Sequence, residues 1–114
     1  MGQPVVHFEI LGKDAKKLQD FYGEVFGWHI DTNNPMNYGV VDTDGQSGIG
    51  GGIGLAQSKN HVTFYVQVDE PQAYLDRIEA KGSKTVVPVT EIPNMVTFAL
   101  FSDPEGNVIG LVKG

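Results

Sequence analysis

The 114-residue chain contains no cysteine. That excludes a disulfide frame, a thiolate nucleophile and a cysteine-based zinc site. Basic residues are scarce, with 8 Lys and Arg against 14 Asp and Glu and a net charge of −6. A phosphate-binding surface needs the opposite balance, so no nucleic acid and no anionic membrane is expected as a partner. A neutral or cationic small molecule is compatible with it. No apolar run approaches the ~20 residues that cross a bilayer. The N-terminus also lacks the basic-then-apolar pattern of a secretory signal, and the expectation is a soluble, cytoplasmic protein. Ser47, Ser58, Ser83 and Ser102 all fall in loops or at strand ends, without a recognisable nucleophile elbow.

The stretch Val5–Trp28 organises the rest. Along Val5–Leu11, Val6, Phe8 and Ile10 alternate with His7 and Glu9, which reads as a strand with one apolar face and one polar face. Asp14 is placed to cap a helix whose Ala15, Leu18, Phe21, Tyr22 and Val25 recur at three- and four-residue spacing. That stripe is expected to be the buried face, with Gly27 as the stop. Val6, Phe8 and Ile10 then face the helix, leaving His7 and Glu9 on the opposite side of the sheet. Trp28–Thr32 and Tyr38–Asp42 read as further strands, separated by the turn chemistry of Asn33-Asn34-Pro35. Glycine is the compositional outlier, with 15 in all and five between Gly48 and Gly54. That run is either a flexible loop or a glycine-rich strand, which Ile49, Ile53 and Leu55 favour by their period of two. It has neither the spacing of a phosphate-binding loop nor a helix behind it.

After the polar link Gln57–Asn60 the pattern returns. His61–Asp69 reads as a strand with Val62, Phe64, Val66 and Val68 on a face that needs cover, and His61, Thr63, Tyr65 and Gln67 on the other. Pro71 opens a helix that buries Tyr74, Leu75 and Ile78 and ends by Gly82. Three strands follow, at Thr85–Val89, Met95–Phe101 and Asn107–Val112. Pro88 suits an edge position, and Asp103-Pro104-Glu105-Gly106 is a turn. Strand–helix–strand–strand–strand thus occurs twice, a moderate signal of internal repetition.

His7 in VHFEI, FYGEVFGW at Phe21–Trp28, Val68-Asp69 before the second helix and FSDPEGNVIGL at Phe101–Leu111 carry a resemblance over nearly the whole chain. The sequence resembles the vicinal oxygen chelate superfamily of glyoxalases, bleomycin-resistance proteins and extradiol dioxygenases, and within it the glyoxalase-like, lactoylglutathione-lyase-related branch. The resemblance implies an α+β fold in which two βαβββ modules form a curled, cup-shaped mixed β-sheet with the helices outside. One glyoxalase-like domain is expected, with module 1 over about 4–56 and module 2 over about 61–114. A homodimer is implied as well.

Metal-dependent members of that superfamily place four ligands in the cup, and only His7 matches one. Thr63 stands at the second position, the third falls within Gly48–Gly54, and the fourth is Gly110. His61 with His7 and Glu9 is an alternative, displaced metal arrangement. The expectation is therefore no metal and no cofactor, with His7 and Glu9 as candidate catalytic residues and Thr63, Tyr65 and His61 as candidate ligand contacts. His61 lies near a strand start and is expected to be exposed. Trp28, Tyr38, Phe98 and Phe101 read as core. The function expected is binding of a small molecule in the cup, with metal-free lyase or isomerase chemistry open to it. A metal-dependent lactoylglutathione-lyase-type or dioxygenase-type enzyme is the alternative, as is a drug-sequestering resistance-type protein. A cup kept only for dimer contacts is the remaining reading.

Overall fold

A computed structural model of the chain describes residues 2–45 and 47–114. The order is β1 (Val5–Gly12), α1 (Ala15–Phe26), β2 (His29–Asp31), β3 (Gly39–Asp42) and β4 (Gly50–Leu55). It continues with β5 (His61–Val68), α2 (Pro71–Ala80), β6 (Lys84–Ile92), β7 (Val96–Ser102) and β8 (Val108–Lys113). The βαβββ order therefore occurs twice in an α+β chain. Contacts gather into one unit over Val6–Thr63 and a second over Phe64–Gly114 joined by the N-terminal residues up to Val5. The Gln67 amide donates to the Pro4 carbonyl at 2.8 Å within the second unit.

In the Val6–Thr63 unit the strands lie in the order β2-β3-β4-β1. β1 and β4 run parallel, and β3 is antiparallel to β2 and β4. The glycine run is a strand. Its Gly51–Gly54 segment is buried, and Ile53 is fully enclosed. Asp14 caps α1 by accepting from the Lys17 amide at 3.0 Å, and Gly27 ends it at φ 70° in the left-handed region. Phe8 does face the helix side, 5.3 Å from Trp28, which stacks at 5.6 Å on Tyr22. The predicted buried stripe of α1 needs correction, however. Phe21 is 54% and Val25 56% exposed, whereas Gln19 is buried. Gln19 Nε2 donates to the Ile53 carbonyl at 2.8 Å and to the Asn37 carbonyl at 3.3 Å. Docking this amide on strand β4 turns the helix about its axis and leaves part of its apolar stripe facing outward.

In the second unit the order is β5-β8-β7-β6, with β5 and β8 parallel and the other pairs antiparallel. Val68, Leu75, Ala99 and Leu111 form its core, flanked by Val66, Tyr74, Ile78 and Phe101. Pro88 lies on β6, the last strand in that order, within the register irregularity between Val87 and Thr90, in keeping with an edge position. The expected cover of Val62 and Phe64 is absent, for they are 70% and 40% exposed. Helix α2 packs mainly on β6, with further contacts to β7 and β8. Asp103 organises the β7–β8 turn by accepting from the Glu105 and Asn107 amides at 2.9 Å each, and Gly106 takes φ 87°. The Asn107 side chain adds a 3.0 Å bond, and these contacts hold the Asp103 carboxyl below its ordinary value.

Removing the Gln19 amide leaves the Ile53 carbonyl without its side-chain donor in a dry setting. Gln19→Ala is expected to lower unfolding stability by about 1–3 kcal/mol. Gln72→Ala, at an exposed position of α2, should stay within about 0.5 kcal/mol. Equal effects in chemical denaturation would remove Gln19 as the anchor of α1.

Candidate functional site

The site begins with a residue assigned to the core by sequence. Asn34 follows β2, and its side chain grips the backbone of Tyr38 from both sides. Asn34 Oδ1 accepts from the Tyr38 amide at 3.0 Å, and its Nδ2 donates to the Tyr38 carbonyl at 2.7 Å. The same Oδ1 takes the Met36 amide at 3.2 Å, closing the turn. Held this way, the Tyr38 ring lies flat across β4. A methyl group at Gly52 would collide with the Tyr38 phenol, and one at Gly54 would stand 2.8 Å from its Cδ1. Gly52 pairs with Glu9 in the β1–β4 register, so the ring shares the polar face of β1.

The Tyr38 hydroxyl then sits between the two sequence-predicted catalytic candidates. It donates to Glu9 Oε2 at 2.8 Å and lies 3.0 Å from His7 Nε2. A phenol has one proton, and here the carboxylate takes it. The hydroxyl oxygen then accepts from His7 in the tautomer that carries the imidazole proton on Nε2. Burial pushes His7 below its ordinary value, and the Glu9 charge offsets part of that shift. His7 is a neutral base near pH 7, backed by a hydroxyl and a carboxylate in series.

Thr63 and Tyr65, on alternate positions of β5, are both buried at 6% and 8% exposure. Tyr65 repeats the device of Tyr38. It pairs with Gly110, and its ring covers that glycine so closely that a Cβ there would collide with it. His61 is half-buried rather than exposed, and its Nε2 is enclosed without a hydrogen-bond partner among the described residues. His7 and Glu9 are thus brought together by Tyr38, which sequence reasoning missed. The signal for Tyr38 was available in the glycines at alternate positions of β4, which leave room for one large ring. A groove of about 740 Å³, lined by Gln19, Trp28, Ile30, Met36 and Leu55 among others, lies beside α1; none of His7, Glu9 and Tyr38 lines it.

The four-ligand arrangement implied by resemblance does not fit these residues. One of its positions is Gly110, covered by the Tyr65 ring, another falls within Gly48–Gly54, and a third is Thr63. Among the described residues no group of three or more His, Asp or Glu side chains is placed to hold an ion, the displaced His7–His61–Glu9 set included.

The βαβββ order, repeated in two units, defines the class of scaffold. The chain belongs to the Glyoxalase/Bleomycin resistance protein/Dioxygenase superfamily, whose model matches residues 5–111. No curated protein matches it. Among solved structures it is similar to methylmalonyl-CoA epimerase from Mycobacterium tuberculosis, at 15% identity and TM-score 0.67 over 96% of this chain and 86% of that one. A superfamily member from Vibrio splendidus 12B01 is 18% identical, with TM-score 0.67 over 99% and 100% of the two chains. The Mn(II)-bound glyoxalase from Novosphingobium aromaticivorans is 17% identical with TM-score 0.69, covering 97% of this chain and 38% of that one. At these identities the likeness is one of fold.

The His7 environment has a measurable consequence. A group held below its ordinary value when folded adds stability above its unfolded pKa of about 6.5. That stability is lost as pH falls through the folded value. Wild type should therefore weaken on acidification more than His7→Gln does. By proton NMR, His7 should titrate below its ordinary value, and Glu9→Gln should move it further down because the offsetting charge is gone. An upward shift in Glu9→Gln would refute the assignment.

Proposed function

We propose that the chain binds a small neutral or cationic molecule on the His7–Tyr38–Glu9 face and does so without a metal ion or other cofactor. The observation that carries this is the placement of the Tyr38 hydroxyl between His7 and Glu9, with its ring over Gly52 and Gly54. Glu9 and the net charge of −6 disfavour an anion. A polar ligand on this face can hydrogen-bond to the His7 imidazole. Where it presents an acidic C–H or O–H, the imidazole takes the proton, and the Tyr38 hydroxyl and Glu9 carboxylate stabilise the new positive charge. Burial disfavours the charged ring, so the proton is returned to the ligand and nothing is oxidised or reduced. This is the chemistry of a metal-free isomerase. Thr63, of the same unit, contributes a further hydroxyl for ligand contact, and the protein works as a pair of identical chains.

The test has two arms. Elemental analysis of protein purified without a metal-affinity tag should find well under one equivalent of manganese, nickel, zinc or iron. Titration with Mn²⁺, Ni²⁺ or Zn²⁺ should leave thermal stability nearly unchanged, whereas an ion at 100 times its Kd would add about 2.7 kcal/mol. In a thermal-shift screen of small metabolites at pH 7.5, compounds that stabilise wild type should be neutral or cationic and should lose at least tenfold in affinity with Tyr38→Phe. Stoichiometric metal lost on His7→Ala, or stabilisers that are anions indifferent to Tyr38, would overturn the proposal. Stabilisation without turnover would instead favour a sequestering protein.

A further inference from the structure

The outward-turned part of α1 carries an inference about assembly, resting on the reading that the chain pairs with a second copy. Phe21 and Val25, four residues apart, share one face of the helix and are 54% and 56% exposed. Leu18, half-buried, borders them on the side toward the sheet. On the other border stand Lys17 and Glu24, four residues before and three residues after Phe21. Both are exposed. Lys16 and Asp20 form a 3.3 Å ion pair within the helix, while the Lys17 ammonium and Glu24 carboxylate have no partner among the described residues. An open groove of about 490 Å³ runs along Lys17, Asp20, Phe21 and Glu24.

We infer that this face is the dimer contact, and that its occupant is α1 of a second copy of the chain lying antiparallel across Phe21. The argument is one of symmetry and charge. A two-fold axis reverses the second helix, so the lysine end of one flank meets the glutamate end of the other. Lys17 and Glu24 are centred half a residue from Phe21, less than ~1 Å along a helix rising about 1.5 Å per residue. With the axis at Phe21, the two phenyl rings meet, Val25 packs on the aliphatic stem of the opposite Lys17, and Lys17 faces Glu24 twice. A parallel pairing would set lysine against lysine and glutamate against glutamate. The self-complementary pattern selects an identical partner over an unrelated one.

Sedimentation velocity at micromolar concentration reads this directly. Wild type should be a dimer, and Phe21→Asp a folded monomer by circular dichroism. Lys17→Glu and Glu24→Lys should each raise the dimer Kd about tenfold through two like-charge contacts, and the double variant should recover most of the loss. Monomeric wild type overturns both this surface and the pairing of chains. A dimer indifferent to Phe21→Asp, or single charge reversals that the double variant does not rescue, overturns this surface alone. Ligand binding on the His7 face is read separately, since none of these residues touches it.

Discussion

A strand without side chains at alternate positions is the constraint on which the Val6–Thr63 unit depends. Glycine at 52 and 54 leaves the polar face of β4 bare, and a ring of phenol size is what fills it. Any side chain at Gly52 would displace Tyr38, and with it the hydroxyl that joins His7 to Glu9. Asn34 supplies the complementary restraint by holding the amide and carbonyl of Tyr38 together. Fixing both the backbone and the ring surface leaves the hydroxyl little freedom. Such preorganisation is what a hydrogen-bonded site needs, because the ordering entropy is met by folding and not by the ligand.

The other unit uses the same device once, with Tyr65 over Gly110. Two rings thus rest on three bare strand positions, Gly52, Gly54 and Gly110. In both units glycine at these positions serves close approach and not flexibility. The helices differ more. Leu75 of α2 is 1% exposed within an aliphatic cluster, an ordinary apolar anchor. Helix α1 instead docks through the Gln19 amide on the carbonyl of a fully buried strand residue. A hydrogen bond is directional where apolar contact is not, so Gln19 sets the rotation of α1 as well as its position. The exposed Phe21 and Val25 follow from that rotation.

Much of the fold was legible in residue order. Asp14, Gly27, Pro71, Pro88 and the Asp103–Gly106 turn each act through local geometry, and each stands where its chemistry places it. Alternation along β1 likewise put His7 and Glu9 on one face, opposite Phe8 and its aromatic partners. The same periodicity argument held for cover in the second unit, where Val68 and Leu75 are buried as expected, and failed on α1 and at the start of β5. Spacing tells which residues share a face but not which face a neighbour buries, and Phe21, Val25, Val62 and Phe64 were misassigned for that reason.

The sequence by itself determined the repeated βαβββ order, the termini of the helices, the shared face of His7 and Glu9, and the absence of side chains at the glycine positions. These depend on φ and ψ preference, on the two-residue period of a strand and on residue identity, which act over a few positions. Only the tertiary structure decided that Tyr38 lies between His7 and Glu9, that Tyr65 covers Gly110, and that α1 is turned by Gln19. Each of those contacts joins residues 29 or more apart along the chain, as Tyr38 to Glu9 and Gln19 to Ile53 show. Local propensity has no term for such contacts, which depend on strand register and on the volume left by absent side chains.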